Sequence, residues 1–128
     1  MSDVKIPDAE ADVLAVLFEE GEATARTVRE RLAKRRPMAH GSVVTLLTRL
    51  EERGLVKRRK ADQGKAFVFR PAKAHARAFG PAVSRLLQRA FGGKPAALVA
   101  SLFETAPPTR EELDDLEALV ARLREQRK

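Results

Sequence analysis

Cysteine, tryptophan and tyrosine are absent from this chain of 128 residues, and histidine occurs only at His40 and His75. Without cysteine there is no disulfide framework, thiolate nucleophile, Cys-ligated zinc site or thiol redox switch. Two histidines are also too few for a His-rich metal site within one chain. The composition therefore predicts neither a bound metal nor another cofactor.

Long apolar runs are missing as well. No stretch approaches the roughly 20 apolar residues of a membrane-spanning helix. The acidic N-terminus, Met1–Asp12, lacks the apolar core of a secretory signal. We therefore expect a cytoplasmic protein without membrane insertion. With 44% hydrophobic residues, the chain can still bury a moderate core in one or two small domains.

The net charge of +7 is distributed unevenly along the chain. Residues 1–22 carry seven acids and one lysine, whereas residues 26–70 carry fourteen Lys or Arg against four acids. Residues 71–103 add five bases and no acid, and residues 104–120 carry six acids against one base. Such a basic block attracts polyanions, of which nucleic acid is the commonest, although a solvated surface on a basic protein is the alternative.

Three amphipathic helices are predicted in the first half of the chain: Asp8–Glu20, a segment from a Thr24 cap to about Arg35, and about His40–Arg53. At about 100° per residue, the third helix gathers its apolar residues on one side. The other side carries a stripe of hydroxyl and guanidinium groups. Such a stripe can read a duplex groove, although it could also be a plain solvent face. Its members are Ser42, Thr45, Arg49 and Arg53.

A basic β-hairpin is predicted after Gly54. Residues 55–60 and 65–70 form two strand-like runs around the turn at residues 62–64, and Pro71 ends the second run. Three helices followed by a basic hairpin are the pattern of a winged helix-turn-helix domain. In such a domain the third helix enters the major groove, and the hairpin, or wing, lies near the backbone or the minor groove.

Residues 72–128 are predicted to be helical, so the chain is mainly α with a small β-hairpin wing. The predicted helices are Ala72–Ala90, with a kink or break at Gly80-Pro81, then Ala96–Glu104, and a last helix opened by a Thr109 capping box. We accordingly predict a winged helix-turn-helix domain over residues 1–71 and a helical dimerisation domain over residues 72–128.

The helices of this second half carry more apolar surface than one thin layer can bury. A twofold homodimer is the economical solution, although the region could instead fold back on the first domain. The residues predicted to form the dimer interface are Phe79, Val83, Leu86, Leu87, Leu113, Leu116, Val120 and Leu123.

Several segments carry a resemblance to a known family. Residues 6–18 are similar to the opening helix of the penicillinase and methicillin-resistance repressors and of the related copper-responsive repressors. Ser42-Val-Val-Thr-Leu-Leu-Thr-Arg-Leu, followed by residues 53–56, resembles their segment T-V-x-T-L-L-x-R-L…K-G-L. Residues 64–71 resemble their wing motif G-R-x-Y-x-Y-x-P, and Phe91-Gly92-Gly93 resembles their F-G-G segment. The resemblance runs over nearly the whole chain.

The family resemblance implies a dimeric bacterial transcriptional repressor that binds a palindromic operator in double-stranded DNA. By position, Ser42, Thr45 and Arg49 match the family's DNA-contacting residues, and Lys65 keeps the charge of the wing arginine. His40, at the start of the third helix, is expected to contact backbone or phosphate. With the stripe and the hairpin, the predicted DNA-binding residues are His40, Ser42, Thr45, Arg49, Arg53, Lys57, Arg58 and Lys65.

The resemblance also bears on how repression ends. In the resistance repressors, a membrane-bound metalloprotease sensor triggers cleavage of an Asn-Phe bond in the C-terminal domain. The comparable stretch here, residues 99–103, lacks that pair, so the cut would move to Ser101-Leu102 or would not occur. The copper-responsive branch senses through C-terminal cysteines, so the absence of cysteine excludes that route.

Two other function classes fit the sequence poorly, and one stays open. An enzyme needs a catalytic constellation, and neither a nucleophile motif nor a phosphate loop accompanies His40, so we predict no enzymatic activity. The lack of Tyr and Trp argues against an RNA-stacking platform. The open alternative is a helical partner-binding protein that uses the Leu113–Leu123 seam and binds nucleic acid nonspecifically.

Overall fold

The computed structural model describes residues 6–128. The chain divides into two compact units, one ending at Val83 and the other spanning Ser84–Lys128. Within residues 6–128, no helix is long and apolar enough to cross a membrane. The elements in chain order are α1 (Asp8–Glu20), β1 (Ala23–Thr24), α2 (Ala25–Leu32), α3 (His40–Glu52), β2 (Val56–Lys60), β3 (Phe67–Pro71), α4 (Ala74–Phe91), α5 (Pro95–Leu102) and α6 (Arg110–Gln126).

The N-cap of α2 is Thr24, as the sequence predicts. The Oγ1 atom of Thr24 accepts a hydrogen bond from the backbone N–H of Thr27 at 3.2 Å, which satisfies one of the free donors of the first turn. The helix ends at Leu32, earlier than the predicted end near Arg35. The chain tightens there, because the N–H of Arg36 donates to the carbonyl of Leu32 at 2.7 Å, and Pro37 disfavours further helix.

The core of the first unit lies between α1, α2, α3 and the inner side of the sheet. The apolar face predicted for α3 is confirmed, since each of its four members is buried. It packs with fully buried side chains of α1 and α2, such as Leu17 and Leu32, and with Phe69 of the sheet. The buried members of α3 are Val43, Leu46, Leu47 and Leu50.

The predicted hairpin is confirmed and belongs to a three-stranded antiparallel sheet of order β1-β3-β2. In the hairpin, Lys57 is opposite Arg70 and Arg58 is opposite Phe69. The third strand, β1, pairs Ala23 with Phe69. Sequence reasoning missed β1, because a strand of two residues has no readable alternation of polar and apolar positions. This pairing anchors the wing beside the start of α2.

The helices of the C-terminal half differ from their predictions in detail. A kink or a break was expected at Gly80-Pro81, and of these two the break does not occur, because α4 runs through both residues. Proline forfeits one intrahelical hydrogen bond, but its fixed φ angle is compatible with a helix. The start of α6 is as predicted: Thr109 and Glu112 form a reciprocal capping box at 3.0 and 2.8 Å. No residue of the described unit 84–128 is buried.

Candidate nucleic-acid interface

The polar stripe of α3 lies on the surface. Its hydroxyl and guanidinium residues Ser42, Thr45, Arg49 and Arg53 are exposed, while the opposite side of the helix is buried in the core. The first three line one shallow cleft of about 370 Å³. The hydroxyl of Thr45 donates to the carbonyl of Gly41 at 3.0 Å, which leaves its oxygen able to accept a further hydrogen bond. Helical geometry predicted from the sequence that these residues share one side of α3, and the structure shows them together on the surface.

Arg53 differs from the rest of the stripe. It caps the C-terminal end of α3, and its Nη1 atom lies 3.8 Å from Oε1 of Glu10 in α1. Glu10 is only 4% exposed. The structure therefore ties the last member of the stripe to the body of the domain, whereas the charge of Arg49 lies in the exposed part of the stripe.

The N-terminal end of α3 is open to an anion. Its N-cap residue, Ala39, offers no side-chain cap, and the adjacent His40 is exposed. The first backbone N–H groups of a helix carry a partial positive charge and bind phosphate well. The geometry of this helix start therefore favours the predicted contact of His40 with backbone or phosphate.

The cations of the wing fall into two groups. Lys57 and Lys65 are exposed on the hairpin. Arg59 instead donates to Glu22 at 2.6 Å, and this hydrogen bond raises the pKa of Arg59. The prediction from sequence could not separate these groups, because a run of basic residues does not reveal which ones meet a carboxylate from a distant segment.

Arg58 links the wing to α3. Its Nε atom donates to both carboxylate oxygens of Glu51 at 3.0 and 2.9 Å. Its guanidinium carbon lies 5.0 Å from the ring centre of Phe67 and 4.9 Å from that of Phe69, in cation–π geometry. A bidentate ion pair and two ring contacts fix this side chain. The geometry favours a positioning role for Arg58, which holds the wing against α3.

A second cleft, of about 370 Å³, lies between α2, the start of α3 and the wing. Sequence reasoning missed one of its cations, Arg26 at the start of α2, because only the fold brings α2 to the wing. No acidic residue lines this cleft, although Arg26 pairs with Glu30 at 3.0 Å and Arg58 with Glu51 at 2.9 Å. Lys65, which is exposed on the wing, adds a positive charge there that suits a phosphate backbone. The basic lining residues of the cleft are Arg26, His40, Arg58 and Lys65.

No group of His, Asp or Glu side chains among residues 6–128 has the arrangement of a metal site. The groups that the structure brings together at this interface are hydroxyls, guanidinium and ammonium groups, and an imidazole. They can bind an anionic polymer and donate hydrogen bonds to base edges.

The residues predicted for the dimer interface fall into three groups by burial. Phe79 packs against the core of the first unit. Leu87 and Leu116 are partly buried. The other five members are 46–52% exposed: Val83, Leu86, Leu113, Val120 and Leu123. The described unit 84–128 thus carries large apolar side chains that its own helices do not cover.

The candidate cleavage position is at the C-terminal end of α5. Ser101 and Leu102 are both exposed there, and the Leu102 side chain is 64% exposed. The helix ends at Leu102.

The sequence pattern of the penicillinase repressors matches residues 6–122. This chain belongs to the penicillinase repressor family. Its members are DNA-binding winged-helix transcription regulators without enzymatic activity, so the resemblance found in the motifs and the prediction of a non-enzymatic regulator are confirmed.

Solved structures confirm the predicted fold of this family member. The chain is similar to Escherichia coli MarR in complex with operator DNA (TM-score 0.54, 19% identity, covering 93% of this chain and 76% of that one). It is also similar to Lactococcus lactis ZitR (TM-score 0.51, 19% identity, covering 100% and 80%). A MarR family protein from Bacillus stearothermophilus is a third (TM-score 0.52, 19% identity, covering 96% and 76%). No curated protein matches the chain in sequence.

Proposed function

We propose that this member of the penicillinase repressor family represses transcription as a homodimer bound to a palindromic operator. Residues 1–71 would bind the DNA and residues 72–128 would dimerise. The observation that carries the proposal is the exposed stripe of α3 together with the exposed lysines of the wing, Lys57 and Lys65. A protein that presents hydroxyls and guanidinium groups on one rigid helix has the donors and acceptors to read base edges.

The division of labour follows from the geometry. Ser42, Thr45 and Arg49 would face the major groove, because they are exposed on the middle of a helix whose back is held in the core. His40 and the wing cations Lys57 and Lys65 would contact phosphates, which position the protein without reading sequence. The solved structure of Escherichia coli MarR with operator DNA supports this arrangement by analogy of fold.

The homodimer is supported by the apolar face of α6. Leu113, Val120 and Leu123 are 46–49% exposed, and they share one side of the helix with Leu116. A twofold dimer covers the same face on both copies, and two copies related by a twofold axis read a palindrome.

Genomic footprinting in the source cell is the experiment that tests this proposal. The expected result is a small set of sites, each a palindrome close to a promoter, with half-sites spaced by whole helical turns. Binding spread evenly over the genome would contradict it and would favour a partner-binding protein with nonspecific nucleic-acid affinity.

Arg49→Ala tests the reading helix itself. If the guanidinium of Arg49 donates to a guanine, its loss should cost about 1–3 kcal/mol on the operator and relax the preference at one base pair. Titrations of operator and of random duplex measure both effects. Arg122→Ala removes the same charge from α6 and serves as control. Equal binding by Arg49→Ala and the parent would mean that the stripe is only a solvent face.

Relief of repression by proteolysis extends the same proposal. A cut at Ser101-Leu102 would remove α6, and a membrane-bound sensor protease is the partner that would trigger it. Separating the two DNA-binding units would lose an avidity factor of roughly 10²–10⁴. Immunoblots of cells challenged with a cell-wall antibiotic should then show shortening of the chain as the target transcript rises. Induction with the full-length chain undiminished would contradict this route.

A further inference from the structure

Two neighbouring arginines of β2 are held by glutamates on opposite faces of the strand. Side chains alternate between the faces of a strand, so Arg58 and Arg59 point in opposite directions. Arg59 pairs with Glu22 at 2.6 Å, and these side chains are 43% and 45% exposed. Arg58 lies on the face of its register partner Phe69, which is buried in the core. Of the two arginines, Arg58 is therefore the one that lies against the packed interior of the first unit.

The side of α3 that meets Arg58 is neither its apolar core face nor its polar stripe. Thr48 and Glu51 are three residues apart, so they are neighbours on this side of the helix. Glu51 lies about 200° around the helix from Arg49, so its carboxylate points away from the stripe. Thr48 and Glu51 thus define a third side of α3, which faces the wing.

The contacts of Arg58 join this third side to the hairpin. Besides the two bonds that Nε donates to Glu51, the Nη2 atom lies 2.9 Å from Oε1 of Glu51 and 3.4 Å from Oγ1 of Thr48. The same guanidinium contacts the rings of Phe67 and Phe69 of β3. The side chains of Arg58 and Glu51 are 27% and 32% exposed. Water therefore screens this pair less than it screens the pair of Arg59 and Glu22.

We propose that Glu51 is a positioning residue for DNA binding. By holding Arg58, it fixes the wing at the angle from α3 at which the wing lysines and the stripe meet one duplex together. Arg58 then acts through the position of the wing and not through a phosphate. A preformed arrangement spares the chain the entropy of ordering the hairpin when DNA binds. This inference rests on the proposed binding of DNA by α3 and the wing.

The sign of the effect of Glu51→Ala on DNA affinity is the main test. If charge alone mattered, loss of an acidic side chain near a polyanion would raise affinity. We expect the full-length variant to bind random duplex about fivefold more weakly instead, the size expected for one partly exposed ion pair. The slope of log affinity against log salt should stay that of the parent, because the wing lysines still reach phosphates. Unchanged affinity, or tighter binding with a steeper slope, would overturn the proposal.

Glu52→Ala is the matched control. Glu52 is the next residue of the same helix and is exposed, and it lies only about 60° around the helix from Arg49. Its replacement removes the same charge nearer to the stripe and leaves the contacts of Arg58 in place. Affinity for random duplex should equal or exceed that of the parent. A loss as large as that of Glu51→Ala would mean that the hold on Arg58 is not the cause, and the proposal would be wrong.

Arg58→Lys separates positioning from direct contact with DNA. Lysine keeps the charge but lacks the planar fork that engages both carboxylate oxygens. This variant should therefore weaken binding about as much as Glu51→Ala, whereas binding like that of the parent would show that Arg58 serves as a phosphate-binding cation. The double variant Glu51→Ala, Arg58→Lys should lose no more than either single variant, because both changes remove the same contact. Additive losses would contradict the proposal.

Amide hydrogen exchange measures the hold on the wing without DNA. Glu51→Ala should speed exchange in the hairpin of β2 and β3, while the amides of the core face of α3 keep the rates of the parent and show that the variant is folded. Equal protection of the hairpin in parent and variant would overturn the proposal. Equal affinity of the parent for operator and random duplex would instead contradict the proposed function. The exchange rates and the affinities for random duplex would still decide the role of Glu51.

Discussion

The two units of this chain bury their apolar residues to different degrees. Within residues 6–128, all buried hydrophobic side chains lie between Val13 and Ala72. In the unit spanning Ser84–Lys128, large apolar residues such as Leu102, Leu113 and Leu123 remain 46–64% exposed. The first unit therefore has the core of a self-sufficient domain, while the helices of the second present apolar faces that favour association. Under the proposed function, the first unit reads DNA and the second dimerises, so that two tasks are carried by separate segments of the chain.

The largest effect is expected from disrupting the apolar face of α6. Replacing Leu116 and Leu123 together with Asp places two charges in the seam of α6, and their desolvation opposes association. Sedimentation should show a mass reduced from dimer to monomer, and operator affinity should fall by about 10²–10⁴. Ala118→Asp, about 200° from Leu116 around the helix, is the control. An undiminished dimer mass in the double variant would place the interface elsewhere.

Leucine truncations compare the packing of the two units directly. Leu17 is fully buried in α1, so Leu17→Ala should lose about 2–5 kcal/mol of unfolding free energy. Leu102→Ala makes the same chemical change at a side chain that is 64% exposed, and its cost should stay within about 0.5 kcal/mol. Urea unfolding followed by circular dichroism measures both. Equal costs would contradict the difference between the units.

A smaller effect is expected at the wing. Lys65 is exposed on the hairpin and lines the cleft between α2, the start of α3 and the wing. Lys65→Ala should weaken all duplexes about equally and lower the salt slope by about one. Lys128→Ala removes a lysine that pairs with Glu125 at the end of α6, and the slope should not change. Equal slopes for both variants would show that the wing does not bind phosphate.

The smallest effect is a dependence of stability on pH through His75. Burial lowers the pKa of this imidazole, which lies between the rings of Phe18 and Phe79 at 4.7 and 4.5 Å. Below about pH 6.5 the unfolded chain binds a proton more readily than the native chain, so stability decreases as pH falls. Unfolding midpoints at pH 7.5 and 5.5 should differ less in His75→Gln than in the parent. His40→Gln, at an exposed position, should behave like the parent, and identical behaviour of both variants would exclude His75 as the source.

Much of the first unit could be read from the sequence, because helices with one apolar face have a visible period. The inward face of α3, the Thr24 cap and the hairpin were predicted correctly on that basis. The strand β1 was not, since its two residues pair through backbone groups that any residue carries. The sequence predicted a kink or a break at Gly80-Pro81, and the structure shows no break there, because local propensity is a weak guide where a long amphipathic helix continues on both sides.

The sequence by itself determined the helices, the hairpin, the polar stripe and the family, since these depend on periods and motifs that are local in the chain. Only the tertiary structure decided which charges are engaged. Arg58 is held by Glu51 and two phenylalanine rings, and Arg53 lies beside the buried Glu10 of another helix. The energy of an ion pair weakens as the distance between its two charges grows. That distance bears no fixed relation to the separation of the two residues along the chain.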